Sequence, residues 1–96
     1  MMKEIRRTSQ FKKDFKRFSK DAEKVERLYR IVTKLANGED IPDEYNPHPL
    51  KGEWQDYMEC HVEGDYLLIW YDKIENIIKL VRLGSHSELF GKRRKR

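Results

Sequence analysis

Acid–base side chains cluster in one short stretch of the chain, HVEGDYLLIWY, residues 61–71. His61, Glu63 and Asp65 lie within five positions there, directly before six unbroken apolar or aromatic residues. An imidazole titrates near neutral pH, and a nearby carboxylate can orient it or take a proton itself. This stretch is therefore the first candidate for general acid–base chemistry.

Two further histidines complete an inventory of three. His48 lies in NPHPLKG and His86 in RLGSHSELF, so both flank the region of predicted strands. Functional side chains concentrate in such loops, but ordinary loop histidines occur there too, and the residue types leave both interpretations open. Arg82, four residues before His86, suits a phosphate oxygen, although a surface ion pair is the commoner use of arginine.

The spacing of these residues does not favour a metal centre. No histidine pair has the i, i+4 spacing of a helical metal site, and the single cysteine, Cys60, leaves no cysteine pair. We therefore predict no metal site and no cofactor. Because Cys60 cannot form an internal disulfide, nothing indicates an oxidising compartment.

The N-terminal part of the chain predicts a strand over residues 3–8 followed by a helix. Thr8 or Ser9 can cap this helix, because a side-chain oxygen there accepts a hydrogen bond from a free N–H of the first turn. Its apolar positions recur at helical spacing and predict a face turned to the core: Phe11, Phe15 and Phe18.

A second helix is predicted to start at Ser19 or Asp21 and to stop at Gly38. Its apolar residues again share one face: Val25, Leu28, Ile31, Val32 and Leu35. The two helices are expected to form a hairpin. Residues 38–47 contain two prolines and four acids and predict a connecting loop.

After Leu50 the apolar period changes from that of a helix to that of a strand. Met58, Cys60 and Val62 alternate with polar or aromatic residues, so Glu59 and His61 share the opposite face. A turn at 63–65 leads to a strand over 66–71 that is apolar on both faces, and another strand follows over 76–83. The predicted fold is α+β, a small antiparallel sheet packed by the helix hairpin, in the order β-α-α-β-β-β.

Length and charge indicate one domain over residues 1–90 and a basic tail over 91–96. Residues 1–37 hold 12 Lys and Arg against five Asp and Glu, and residues 38–90 hold four against 12. A basic half can neutralise nucleic-acid phosphates or an acidic partner, but a solvated helix face explains it equally well. No apolar stretch predicts a membrane span or a signal peptide, so a cytoplasmic location is expected.

Three motifs in this order resemble a known family: HPLKGEW, ECHVEGDYLLIW and VRLGSHSELFG. They are similar to the signatures of YafQ-type toxins in the RelE/ParE superfamily of bacterial toxin–antitoxin systems, and the resemblance covers nearly the whole chain. It implies the RelE-like fold and a ribosome-dependent mRNA endonuclease that a cognate antitoxin inhibits. It also implies contact with operator DNA only through the antitoxin complex.

The resemblance also implies roles for individual residues. The family's catalytic cluster matches His48, His61, Asp65 and His86, with Glu59 at an acidic position, Arg82 at the phosphate contact and Phe90 at the following aromatic. At the position of Tyr66 the family pattern has tryptophan. This difference leaves the preferred codon open. We expect Asp65 or His48 as base, His86 as acid, and His61 and Arg82 as transition-state stabilisers. Phe90 and Tyr66 would position RNA bases. For Tyr66, packing in the core is an equally good alternative.

The implied chemistry needs no metal, because RNA carries its own nucleophile, the 2'-OH. Since the region of residues 38–90 is acidic, basic residues of the first helix are expected to dock on the ribosome: Lys12, Lys13, Lys16 and Arg17. Two rival functions remain, a ParE-like poison of DNA gyrase and a non-catalytic co-repressor acting with an antitoxin. Neither needs an acid–base set, so the histidine cluster favours RNA cleavage over both.

Overall fold

A computed structural model describes residues 2–91 of the chain. Its α-helices and strands are β1 (Glu4–Arg7), α1 (Ser9–Phe18), α2 (Ala22–Ala36), β2 (His48–Pro49), β3 (Tyr57–Glu63), β4 (Tyr66–Ile74) and β5 (Ile77–Gly84). The predicted α+β order is confirmed, with the two-residue strand β2 as an addition. One π-helical segment, Ser87–Gly91, follows β5. The predicted tail, apart from Gly91, lies outside the described residues, so the boundary at residue 90 stays a prediction.

The five strands form one sheet in the order β1-β5-β4-β3-β2. Neighbours from β2 to β5 are antiparallel, as predicted, but β1 runs parallel to β5, from Glu4 opposite Ile77 to Arg7 opposite Leu80. The sequence pattern fixes which face of a strand is buried, but not its direction beside a partner some 70 residues away. Within residues 2–91 no helix is long and apolar enough to cross a membrane.

The central strand β4 is buried on both faces, as its unbroken apolar sequence predicts. Tyr66, Leu68 and Trp70 pack toward α1 and α2, and each is at most 4% exposed. Leu67 and Ile69 are fully buried on the opposite side, beneath Leu89 and a partly buried belt that consists of Leu50, Trp54, Tyr57, Val81 and Phe90. Each such side chain contributes about 1.5 to 3 kcal/mol on burial, so β4 anchors both layers.

Capping residues fix where the helices begin. The Thr8 hydroxyl accepts a hydrogen bond from the N–H of Phe11 at 3.0 Å and donates one to the carbonyl of Val81 at 2.9 Å. It therefore caps α1 and joins it to β5. Asp21 caps α2 by accepting from the N–H of Lys24. Gly38, with φ +74°, lets the chain turn away after α2, as the sequence predicts.

A buried carboxylate ties α1 to β5 where β1 has ended. Asp14 is 1% exposed and accepts hydrogen bonds from the Arg82 Nε at 2.8 Å, the Leu83 N–H at 3.0 Å and the Gln10 Nε2 at 3.1 Å. Burial alone would raise the pKa of Asp14, but the hydrogen bonds from Arg82, Leu83 and Gln10 outweigh it and hold the pKa below its usual value. The Asp14 side chain thus binds the backbone N–H at this edge of β5, where β1 no longer pairs with it.

Replacing Asp14 by asparagine should destabilise the fold by about 3 kcal/mol at pH 7, because Arg82 loses its ionic partner in a largely buried setting. Urea unfolding measures this, with Glu26→Gln as control, since Glu26 and Arg30 form an exposed ion pair 2.9 Å apart.

The dependence of stability on pH at acid pH gives a second measurement of the same substitution. The pKa of Asp14 is lower in the folded chain than in the unfolded chain, where it is about 3.9. The stability that Asp14 contributes is therefore fully present above the unfolded pKa and is lost as pH falls through the folded pKa. Asp14→Asn should therefore flatten the loss of stability below about pH 4. Equal losses in Asp14→Asn and Glu26→Gln at pH 7 would contradict this account.

Candidate functional site

The three histidines form a row on the sheet side of Leu67 and Ile69. The ring centroids of His48 and His61 are 6.4 Å apart, and those of His61 and His86 are 6.1 Å apart. Three different segments supply them, namely β2, β3 and the loop after β5. The ring of Phe90 follows at 6.0 Å from His86. The structure therefore brings together every histidine that the sequence singled out.

His86 is oriented by Asp65 in the β3–β4 turn. Its Nδ1 lies 2.9 Å from the Asp65 Oδ1, and its backbone N–H donates to the same oxygen at 3.3 Å. These two hydrogen bonds, with the nearby charges of His86 and His61, lower the pKa of Asp65 below its usual value. Asp65 is thus a weak base that fixes the Nδ1–H tautomer of His86 and turns its Nε2 outward.

His61 is held by the turn that follows it. Its Nδ1 lies 3.1 Å from the carbonyl oxygen of Gly64, which can only accept, so Nδ1 carries the hydrogen. In the neutral ring the lone pair then lies on Nε2. A bulge between His61 and Glu63, and Gly64 at φ +54°, fold the turn back toward the imidazole. His61 thus presents an acceptor nitrogen beside His86.

His48 differs because both of its ring nitrogens are engaged. Nδ1 lies 2.9 Å from the carbonyl oxygen of Asn46, and Nε2 lies 3.1 Å from the Glu59 Oε1. Since Nδ1 must donate to the carbonyl, the contact with Glu59 needs a proton that the two groups share. This arrangement disfavours the expectation of His48 as base, because neither nitrogen is free to take a proton from substrate.

The structure corrects the expectation that Glu59 contacts RNA. The residue is 3% exposed beneath the histidine row, so its side chain offers RNA no open surface of the kind that was expected. Alternation placed it correctly on the face of His61, but the aromatic belt covers that face as well. Its Oε2 has no hydrogen-bond partner among residues 2–91, which leaves His48 as the observed partner of a buried carboxylate.

Tyr66 and Arg82 are likewise not placed as expected. Tyr66 is 4% exposed, and its ring centroid lies 4.4 Å from that of Phe18. Of the two expectations for this side chain, packing in the core is therefore correct, and a free surface for stacking on a base is not. Burial also raises the pKa of its hydroxyl. The Arg82 guanidinium is bound by Asp14 in a two-point ion pair, so it forms the commoner arginine contact instead of standing free for a phosphate.

Sequence reasoning missed several groups that shape the site. Trp54 lies 5.7 Å from Phe90 and 5.4 Å from Tyr57, ring to ring, and so supports the aromatic at the end of the row. The tryptophan of HPLKGEW was the available signal. The carbonyls of Asn46 and Gly64 leave no trace in a residue pattern. Within residues 2–91, no group of three or more His, Cys, Asp and Glu is arranged to hold a metal ion.

Comparison with known proteins identifies the family. The family model described as the bacterial toxin of a type II toxin–antitoxin system, YafQ, matches residues 3–91. The chain belongs to the YafQ toxin family. The matched span contains the whole histidine row, both helices and all five strands.

Individual relatives of this YafQ-family chain agree with that assignment. It is 34% identical over 92 residues to the mRNA interferase toxin YafQ of Escherichia coli K12, covering 95% of this chain and 99% of the relative. A toxin from Helicobacter pylori, solved in a metal-bound form, is 43% identical with a TM-score of 0.83, covering 93% of this chain and all of that one. YafQ in the E. coli DinJ–YafQ complex is 33% identical with a TM-score of 0.82, covering 93% and 99%.

The His48–Glu59 contact predicts a coupled effect on stability. His48→Ala should cost about 1 to 3 kcal/mol, because both oxygens of a buried carboxylate would then lack a donor. Adding Glu59→Leu should recover most of the loss, since an apolar side chain needs no partner. Chemical denaturation of the two single variants and the double variant measures the coupling energy.

His61→Ala is the matched control, because its observed hydrogen bond is to an exposed turn carbonyl. It should change the free energy of unfolding by less than about 1 kcal/mol. Additive losses in His48→Ala and Glu59→Leu would contradict the shared contact.

Proposed function

We propose that this YafQ-family chain is an mRNA endoribonuclease that cuts translated mRNA on the ribosome, with the RNA 2'-OH as nucleophile. The observation that carries the proposal is the tethering of His61 and His86. Each ring has its Nδ1 bound by a fixed acceptor, and the two centroids are 6.1 Å apart. The outward Nε2 atoms suit one base and one acid on either side of a phosphate. The E. coli relative is named an mRNA interferase.

Strand cleavage follows from these two nitrogens. His61 Nε2 removes the proton of the 2'-OH, and O2' then attacks phosphorus. The bond from phosphorus to O5' breaks in line with the attack, and His86 Nε2–H protonates the leaving O5'. The products are a 2',3'-cyclic phosphate and a 5'-OH end, and no step is assigned to a metal ion. Asp65 holds the His86 ring in place for the transfer through the hydrogen bond at Nδ1.

The other members of the row act on position. His48 is held between the Asn46 carbonyl and Glu59, and its ring lies beside that of His61, so it supports the position of the His61 ring. Phe90, beside His86, offers a ring on which a splayed base can stack. Arg82 serves indirectly, since it and Asp14 hold the end of β5 from which the His86 loop departs.

The proposed partners follow from the family and the surface charge. A cognate antitoxin is expected, since YafQ of E. coli was solved in complex with DinJ. Operator DNA would be contacted only through that complex. Ribosome docking is assigned to the exposed basic residues of α1, and the proposed location is the cytoplasm, where ribosomes and mRNA meet.

Alanine at either tethered histidine should slow single-turnover cleavage of ribosome-bound mRNA by about 10² to 10⁴. Asp65→Asn should cost less than His86→Ala, because it weakens the orientation of the ring but keeps the acid. Cleavage time courses on programmed ribosomes measure the three rates.

Cys60→Ser serves as the control on the buried face of β3. Burial raises the pKa of the Cys60 thiol to about 12, so the thiol stays protonated and inert at neutral pH. This variant should lose stability but keep its activity per folded molecule. Full cleavage by His86→Ala would refute the acid assignment. Inhibition of DNA gyrase with mRNA left intact would instead favour the ParE-like alternative.

Docking through α1 gives a separate expectation about salt and charge. Lys12→Glu with Lys16→Glu should weaken ribosome binding and flatten its dependence on salt, since fewer phosphate counterions are released. Lys73→Glu with Lys79→Glu reverses as many exposed charges on the strands and should leave binding unchanged. Sedimentation with ribosomes at several salt concentrations compares the pairs. Equal effects of the two pairs, or rapid cutting of naked RNA, would contradict the docking model.

A further inference from the structure

A cavity of about 320 Å³ opens beside the Asp65–His86 pair. It lies between the facing ends of the two helices and the β3–β4 turn, and its lining includes Phe18, Lys24, Glu63, Asp65, Tyr66 and Ser85. None of the roles described above uses it. Asp65 lines the cavity and also binds His86, and Ser85 precedes His86 in the chain, so the cavity borders the Asp65–His86 pair.

The inner wall of the cavity is aromatic. The rings of Phe18 and Tyr66 pack at 4.4 Å between centroids, and the Lys24 ammonium lies 5.6 Å from the centre of the Tyr66 ring. Tyr66 is nearly fully buried, so it closes the wall and leaves the partly buried Phe18 as the larger apolar surface. Such a wall suits a flat, uncharged ring.

The rim is rich in hydrogen-bond acceptors. Asp65 is engaged by His86, and the Glu88 Oε1 accepts from the N–H of Ser85 at 2.8 Å. Glu63 is held loosely, at 3.4 Å from Lys24 and 3.9 Å from Arg27, so its oxygens keep accepting capacity. The lining holds three carboxylates, those of Glu63, Asp65 and Glu88, against the single ammonium of Lys24. This excess of acceptors disfavours a second phosphate in the cavity and favours a neutral group that donates N–H hydrogen bonds.

We propose that this cavity binds the base of a nucleotide flanking the cleaved bond and that Glu63 selects bases with an exocyclic amino group. Adenine, cytosine and guanine carry that group, and uracil does not. A carboxylate accepts such an amino group directly, whereas it has only the ring N–H of uracil and faces its carbonyl oxygens unfavourably. The inference rests on the proposed RNA cleavage, since it assigns the cavity a part of that substrate.

The test compares mRNAs that differ by one base on either side of the cut. At one of the two positions the wild-type chain should cleave the amino-bearing bases about tenfold faster than uracil, the discrimination of one good base contact. Glu63→Gln should reduce that ratio to about twofold, since an amide also donates to uracil carbonyls. Glu23→Gln is the matched control, because Glu23 also pairs with Arg27 but does not line the cavity, and it should keep the full ratio.

A binding experiment separates this proposal from the proposed function. The full chain, labelled with ¹⁵N, is titrated with dinucleotides carrying a 2'-O-methyl group, which blocks cleavage. Adenine dinucleotides should shift the amide signals of Glu63, Tyr66 and Ser85 and bind about tenfold tighter than uracil ones. Glu63→Gln should remove that difference.

Failure of the base site and failure of the proposed RNA cleavage give different results. If the chain cuts no mRNA but binds adenine dinucleotides at these amides, the proposed function fails and the base site stands. An unchanged base ratio in Glu63→Gln overturns the base site, even if cleavage itself is confirmed. So does the absence of any wild-type base preference at both flanking positions, or the absence of shifts at all three amides.

Discussion

A strand that is apolar on both faces must be covered on both sides, and β4 imposes this requirement on the whole chain. The two helices cover one side, where Leu68 and Trp70 are buried. The other side has only a thin layer of aromatic side chains and the segment after β5. The histidine row lies along this thinner layer, so its rings have a rigid floor below and remain open above. The same burial that stabilises the sheet therefore fixes the base of the site.

The histidines are then distinguished by what holds each ring. A turn carbonyl fixes His61, a carboxylate fixes His86, and both a carbonyl and a buried carboxylate fix His48. These contacts leave an outward nitrogen on two of the three rings. Preorganised groups of this kind lower a barrier because they need little rearrangement when the substrate arrives. The chemistry thus depends on backbone geometry at two turns as much as on residue identity.

Local signals made much of this fold predictable. The cap at Thr8, the stop at Gly38 and the double-sided burial of residues 66–70 all follow from neighbouring residues, and the motifs brought the three histidines together. Contacts distant in sequence were not predictable. The Asp14–Arg82 pair joins residues 68 positions apart, and the direction of β1 depends on the path of the whole chain. Tyr66 was ambiguous for a related reason, because a strand without alternation does not show which face of it meets the helices.

The central claim is that His86 delivers the proton to the leaving oxygen while His61 removes the one from the nucleophile. An mRNA in which sulfur replaces the 5'-oxygen at the cleavage site tests this most directly, since a thiolate leaves without protonation. Single-turnover cleavage on ribosomes should then be restored to His86→Ala and should stay slow in His61→Ala. Equal rates of His86→Ala on the sulfur and oxygen substrates, or rescue of His61→Ala instead, would contradict the account.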